Sequence, residues 1–274
     1  MTEKLVIING DDFGYSPGIK EGIAVAYIEG VLTSTSAMAN LLTGEESLVD
    51  LKARLTKPPL GIGVHLNLTY GKPLRGDLFG NQEFTRPMRG QDPAREWSNS
   101  AWAEYFRQYE AEDISKEYRA QILRAQQVLG VLDHIDSHHG SDYYVGDVFL
   151  NVAREFNLAA RPSSPLSEIS IEGGDFQNDP TFFDRAKRMG VRTVTRPVMD
   201  YFYRYDNPQQ AFYASLASIK PGELVEYMFH PSIDNQNGDW RMKDLEILTD
   251  PHTAQRIKEL DITLTTYSTA SIPA

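Results

Sequence analysis

Two adjacent carboxylates, Asp11 and Asp12, directly follow a short apolar run, Lys4 to Asn9. A carboxylate pair in that place is costly unless it is solvated, paired or bound to a metal. The competing use is a helix N-cap, and a second acid ahead of Phe13-Gly14 weakens it. Farther along, His65 and Asn67 share one face of an apolar stretch. His134, Asp136 and His138 share a face of another such stretch, and His139 falls on the opposite one. His230 follows Met228-Phe229, and His252, after Pro251, reads as a surface residue at a helix start. One carboxylate and two imidazoles make a facial ligand set with open positions, which suits a catalytic ion better than a structural one. Such an ion lowers the pKa of water toward ~7 and polarises a carbonyl. The second carboxylate can then take the proton. Asp136 can hold a ligand imidazole by its distal nitrogen.

These residues must be positioned by strands. The pattern predicts strands at Lys4–Asn9, Leu32–Ala39, Leu60–Leu68, Val131–Ser137, Val191–Pro197, Gly222–Phe229 and Asp261–Thr266. It predicts helices from Ser16-Pro17-Gly18 to about Gly30, and at Glu45–Leu55, 94–110, 113–129, Asp147–Asn157, Pro180–Met189, Pro208–Ile219, 240–249 and 251–259. That alternation implies one parallel α/β domain, a closed barrel or a doubly wound sheet. In a parallel barrel the strand C-termini open on one face, where distant clusters converge. An irregular, aromatic-rich insertion covers about 71–112 (Phe79, Phe84, Trp97, Trp102, Tyr105, Phe106, Tyr109); its rings are expected mainly to pack onto the barrel, the alternatives being to stack on sugar faces or line a dimer interface.

The chain has 274 residues and a formal net charge of −11. A uniformly acidic surface disfavours nucleic acid and membrane surfaces. There is no cysteine, which excludes disulfides and thiolate chemistry. No apolar run approaches the ~18 residues of a membrane span, and the opening MTEKLVIINGDD lacks a signal-like apolar core, so a cytoplasmic protein is expected.

With NGDDFG, LTSTSAMAN, GVHLNLTYGKPL, HIDSHH and EYMFHPS in this order, the chain resembles the YdjC-like, or ChbG/HpnK, carbohydrate deacetylases. The resemblance covers a little over half of the chain. It implies a single-domain irregular (β/α) barrel akin to the NodB-type polysaccharide deacetylases. It also implies hydrolysis of the N-acetyl group of an amino sugar or chitooligosaccharide. By motif, Asp11 is then the general base, Asp12, His65 and His138 the ligands, and His230 the acid. The family is described with magnesium, its members often form a homodimer, and the imidazoles suit zinc equally. Asn67, Asp136 and Arg161 are expected to support ligands or substrate, and the 69–75 loop to offer an oxyanion N–H. The chain departs from the family's histidine-rich run at His139-Gly140-Ser141-Asp142-Tyr143, and keeps only Arg161-Pro162 of an Arg-Pro-Arg-like segment. The rival expectations are another metal-dependent amide, ester or phosphoester hydrolase, or a non-catalytic carbohydrate-binding protein on this fold.

Overall fold

The computed structural model describes residues 3–42, 60–85, 99–163, 180–236 and 239–270. The helix expected at Glu45–Leu55, Trp97 and most of 158–177 lie outside these residues.

The chain begins with strand β1 (Lys4–Phe13), helix α1 (Pro17–Ile28), β2 (Ser34–Ala37) and β3 (Gly61–Leu66). A small hairpin, β4 (Tyr70–Gly71) and β5 (Phe84–Thr85), precedes α2 (Asn99–Arg107) and α3 (Ala111–Leu129). Then come β6 (His134–Ser137), α4 (Ser141–Tyr144), α5 (Asp147–Glu155), β7 (Ala159–Ala160) and α6 (Pro180–Met189). The remainder is β8 (Arg196–Val198), α7 (Pro208–Ala217), β9 (Leu224–Phe229), α8 (Trp240–Thr249), α9 (Pro251–Glu259) and β10 (Ile262–Leu264).

Among the described residues, eight strands form one parallel sheet, in the order β7-β6-β3-β2-β1-β9-β8, with β10 joined to β1. The edges approach each other where the Ala160 N–H reaches the Arg192 carbonyl at 2.9 Å. The architecture is an irregular (β/α) barrel. Most strands are shorter than the apolar runs that announce them, and β2, β6 and β8 keep only the residues that find a partner, but β1 continues past Asn9 to Phe13 and takes in both carboxylates expected to follow it. The β4–β5 hairpin, hidden in a Gly/Pro-rich stretch, had no alternating pattern to reveal it.

Strand alternation sorts two cores. Val6, Ile8, Val64, Ile135, Val225 and Tyr227 face the helices, where α3 packs Ile114, Tyr118, Ile122, Ala125 and Leu129 from one stripe. Full burial of each such aliphatic side chain contributes about 1.5–3 kcal/mol. Leu5, Ile7, Leu224, Val194 and Tyr267 form a second cluster inside the sheet's curl. Above that floor the inward positions turn polar: Asn9, Asp11, His65, His134, Asp136 and Glu226, all buried.

The aromatic-rich region packs rather than projects. Trp102, Phe106 and Phe84 are buried, with Phe79, Tyr105 and Tyr109 against them. α1 starts at Ser16, whose hydroxyl accepts from the Ile19 N–H, with Pro17 at the first helical position. Gly22 lets α1 lie on the segment after β9, because a Cβ there would sit 2.5 Å from the Ser232 Cα.

Candidate active site

In a regular strand, neighbouring side chains point to opposite faces, so Asp11 and Asp12 could not both enter one site. The pairing of β1 with β2 solves this. Gly10 pairs with Thr35 and Phe13 with Ala37, so β1 spends one extra residue, a β-bulge. Asp12 adopts a left-handed backbone there, with φ 69°. Both carboxylates consequently reach the same cluster of side chains.

Asp12 Oδ1 lies 3.3 Å from His65 Nε2 and 3.9 Å from His138 Nε2. That oxygen is buried and accepts no hydrogen bond. Asp12 Oδ2 instead accepts from the Arg241 guanidinium at 2.8 Å. Burial raises the Asp12 carboxyl, but Arg241 and the neighbouring imidazoles hold it well below the usual carboxylate range. His65 Nδ1 is 2.7 Å from Asp136 Oδ1, across the β3–β6 register that pairs His65 with Asp136. Burial works against a charged His65, yet Asp136 and Asp11 raise it to about 10. His138 stands in the turn just past β6, not on the strand. Its Nδ1 contacts Thr69 Oγ1 at 2.8 Å and Asn67 Oδ1 at 3.2 Å. Burial and the adjacent His139 hold His138 well below the ordinary histidine value.

Asp11 is gripped from behind. Arg161 donates to both its oxygens, at 2.8 and 2.6 Å, and Asn9 Nδ2 adds a third bond to Oδ1 at 2.7 Å. Oδ1 therefore has two donors and Oδ2 one, which leaves Oδ2 a lone pair on its open side, 3.9 Å from His65 Nε2. Arg161 also meets Asp136 Oδ2 at 2.9 Å and Glu226 Oε1 at 3.3 Å. Burial pushes Glu226 up to about 7 against the pull of Arg161.

Among the described residues, two groupings bring three ligand atoms within 4.8 Å of one another: Asp11, His65 and Asp136, and His134, Asp136 and Glu226. Arg161 already occupies the carboxylates in both. Asp12, His65 and His138 are not among the groupings that meet that spacing, but Asp12 Oδ1 and the two Nε2 atoms facing it are not engaged by Arg161. A hard anionic oxygen with two imidazoles fits a divalent cation once His65 has given up its proton, and the orphaned oxygen is the atom such a cation would satisfy.

His230 sits beyond the end of β9, partly exposed, between Tyr201 (ring centroids 6.2 Å apart) and Trp240 (5.3 Å). Its backbone N–H donates to Asp244. Burial lowers it to about 4 despite the pull of Asp12, so it is neutral at rest. The 69–75 loop does not offer the expected free amides at four of its positions: the N–H groups of Thr69 and Tyr70 go to Asn67, and those of Leu74 and Arg75 to Glu117.

The sequence profile of the family described as "YdjC-like protein" matches residues 5–259. The chain belongs to this family. Among curated YdjC-like relatives, a carbohydrate deacetylase of Enterococcus faecalis is 30% identical over 99% of this chain and 100% of its own length. One of Brevibacillus brevis is 30% identical over 96% of this chain and 98% of its own. A solved structure from Enterococcus faecalis, provisionally described as a cellobiose-phosphate cleavage protein, aligns with TM-score 0.71 at 25% identity, covering 97% of this chain and 98% of that one.

Several residues of this YdjC-like site escaped sequence reasoning. Asn9 and Glu226 carried a signal, because each is a polar residue at an inward position of an otherwise apolar strand. Arg241 and Thr69 carried none: one begins an ordinary charged helix and the other a loop. Tyr15, Tyr70, Tyr201, Tyr203 and Trp240 were not read as site residues. Tyr15 stacks on Tyr70 at 4.8 Å, and Arg241 lies 6.0 Å from the Tyr15 ring and 4.4 Å from that of Trp240. Trp240 in turn meets Tyr203 at 4.9 Å. A partly exposed arc of rings thus borders the Asp12 carboxylate.

Proposed function

We infer that this protein hydrolyses the N-acetyl group of an amino sugar or short oligosaccharide, giving acetate and a free amine, with one divalent ion held by Asp12, His65 and His138. The observation that carries the reading is Asp12 Oδ1, buried without a donor and faced by two imidazole Nε2 atoms. The relatives named carbohydrate deacetylases support the substrate class. So does the arc of rings, since aromatic faces pack well against the apolar faces of sugars.

When bound, the ion would polarise the acetyl carbonyl and make water more acidic. Magnesium agrees with the family resemblance, and the two imidazoles suit zinc equally. Asp11 Oδ2, with its remaining lone pair, is placed to take the proton of the attacking water. Arg161 and Asn9 keep that carboxylate from swinging away. Asp136 fixes the His65 ring so that Nε2 faces Asp12, and Thr69 and Asn67 do the same for His138. His230 stands at the mouth as the group to protonate the departing nitrogen. Because it is neutral at rest, it must gain that proton within the cycle.

The test is metal analysis of the purified protein together with acetate release from N-acetylglucosamine oligomers, simple amides and phosphodiesters. Metal-dependent acetate release from the sugars is expected. Turnover of phosphodiesters alone would overturn the deacetylase reading.

A further inference from the structure

Beneath the proposed chemistry lies a buried carboxylate that the mechanism above does not use. Glu226 occupies an inward position of β9, next to Ile7 of β1 in register, and is essentially inaccessible to solvent. An aliphatic residue would pack there without the cost of burying a charge. Arg161 already has Asp11 and Asp136 as partners, so Glu226 is not needed to neutralise it.

Its geometry is informative. Arg161 Nη1 serves Asp11 Oδ1 at 2.8 Å and Glu226 Oε1 at 3.3 Å. Nη2 donates to Asp11 Oδ2 at 2.6 Å and lies 2.9 Å from Asp136 Oδ2 as an ion pair. Three hydrogen bonds from the terminal N–H groups, to Asp11 and Glu226, together with the ion pair to Asp136, thus hold the guanidinium on three sides. Glu226 is fixed in turn, because its Oε2 accepts a hydrogen bond from the Tyr267 hydroxyl. The Tyr267 ring lies flat on His134, with centroids 4.4 Å apart, and His134 Nδ1 is 2.7 Å from Asp133 Oδ1. Asp133 Oδ2 accepts the Ser268 N–H, which ties the turn carrying Tyr267 to β6. A second cation among His134, Asp136 and Glu226 is disfavoured, since Arg161 already fills the space between the two carboxylates.

The geometry points to Glu226, seated on Tyr267, as the residue that positions Arg161 and through it the Asp11 carboxylate. This rests on Asp11 being the base of the proposed hydrolysis. Without Glu226 the guanidinium keeps its partners on two sides only and can rotate toward Asp136, taking the fork off Asp11.

The experiment compares wild type, Glu226→Ala and Glu226→Gln. It uses the metal-loaded full chain with N-acetylglucosamine oligomers, calorimetric metal binding, and side-chain NMR of the Arg161 Nη–H groups. Glu226→Ala is expected to lose about 10–100-fold in kcat, the usual cost of removing an outer supporting residue, with KM and metal affinity within about twofold of wild type. Glu226→Gln should recover most of kcat, because its amide oxygen can still accept from Nη1. The Arg161 Nη signals should be resolved in wild type and averaged by rotation in Glu226→Ala. Wild-type kcat in Glu226→Ala, equal losses in both variants, or a loss that tracks metal affinity would each overturn the proposal. If Glu226→Ala does not fold, Tyr267→Phe carries the test: a severalfold loss of kcat with averaged Arg161 signals supports it, and unchanged values refute it. Should wild type release no acetate, the NMR arm still decides: averaging in the variant upholds the positioning role while the deacetylase reading falls.

Discussion

Loading the proposed ion should expel one proton, and His65 is its source. Asp136 on Nδ1, with Asp11 nearby, raises the His65 imidazole to about 10. Between pH 7 and 9 the metal-free site therefore holds His65 as the cation, while an ion needs its Nε2 lone pair. His138, held low by burial and His139, is already neutral and gives up nothing. The apparent association constant should rise about tenfold per pH unit, or about 1.4 kcal/mol, and level off near pH 10. The sum is about 100-fold from pH 7 to pH 9. A histidine of ordinary pKa would give almost no dependence over that range. Calorimetry in buffers of different ionisation enthalpy counts the proton directly, and chelator competition measures the constant. Linkage adds a second sign. A raised histidine pKa stabilises the metal-free protein below its unfolded value near ~6.5, and that stability is lost as pH climbs toward 10. The loaded protein should not show this loss. Affinity that stays flat between pH 7 and 9, with less than about half a proton released per ion, would refute the reasoning.

Further outcomes follow from the same geometry. Asp11→Asn should bind the ion within a few-fold of wild type and lose about 100-fold or more in kcat, as read by acetate release; near-normal turnover would take the base role from Asp11. His65→Ala should abolish ion binding in calorimetry, because it removes one of the two Nε2 atoms beside Asp12 Oδ1. Tyr70→Ala, which strips the exposed ring stacked on Tyr15, should raise KM by about 2–10-fold and leave kcat alone; a fall in kcat with constant KM would contradict a binding role. Gly22→Ala should cost about 1–3 kcal/mol in urea melts, because its methyl group would press on the Ser232 backbone.

What was legible in the sequence follows strand periodicity. His65 and Asp136 lie on inward positions of β3 and β6, and the register brings them side by side. The order of apolar runs pointed to one parallel α/β domain, since each run needs both faces covered, and the motif resemblance chose the barrel over a doubly wound sheet. What was not legible depends on departures from periodicity. Nothing in Asp11-Asp12 announces that β1 gains a residue against β2, yet without that bulge one carboxylate would face the helices. His138 works from a turn where His139 and Gly140 both have positive φ, so its direction could not be read from strand alternation. Arg241 belongs to a helix with no pronounced apolar face, and only the fold brings its guanidinium onto Asp12.

Those departures bear on the electrostatics of the whole barrel interior. Asp11, Asp12, Asp136 and Glu226 place four carboxylates in one buried network, and Arg161 and Arg241 bring two guanidinium groups to it. With every carboxylate ionised, two negative charges are left uncompensated in a low-dielectric interior, which a protein tolerates only by taking up protons or binding cations. The shifts follow that rule: His65 is pushed toward the cation and Glu226 toward the neutral acid. A divalent ion at Asp12, His65 and His138 would supply the two missing charges in place of those protons: His65 gives up its own on loading, and Glu226, near 7, has mostly lost its own above that pH. The charge balance and the orphaned Asp12 oxygen thus argue for the same ligand from separate observations. A metal-free protein as stable and as uniquely packed at pH 9 as the loaded one would separate them, and would leave the ion without its electrostatic reason.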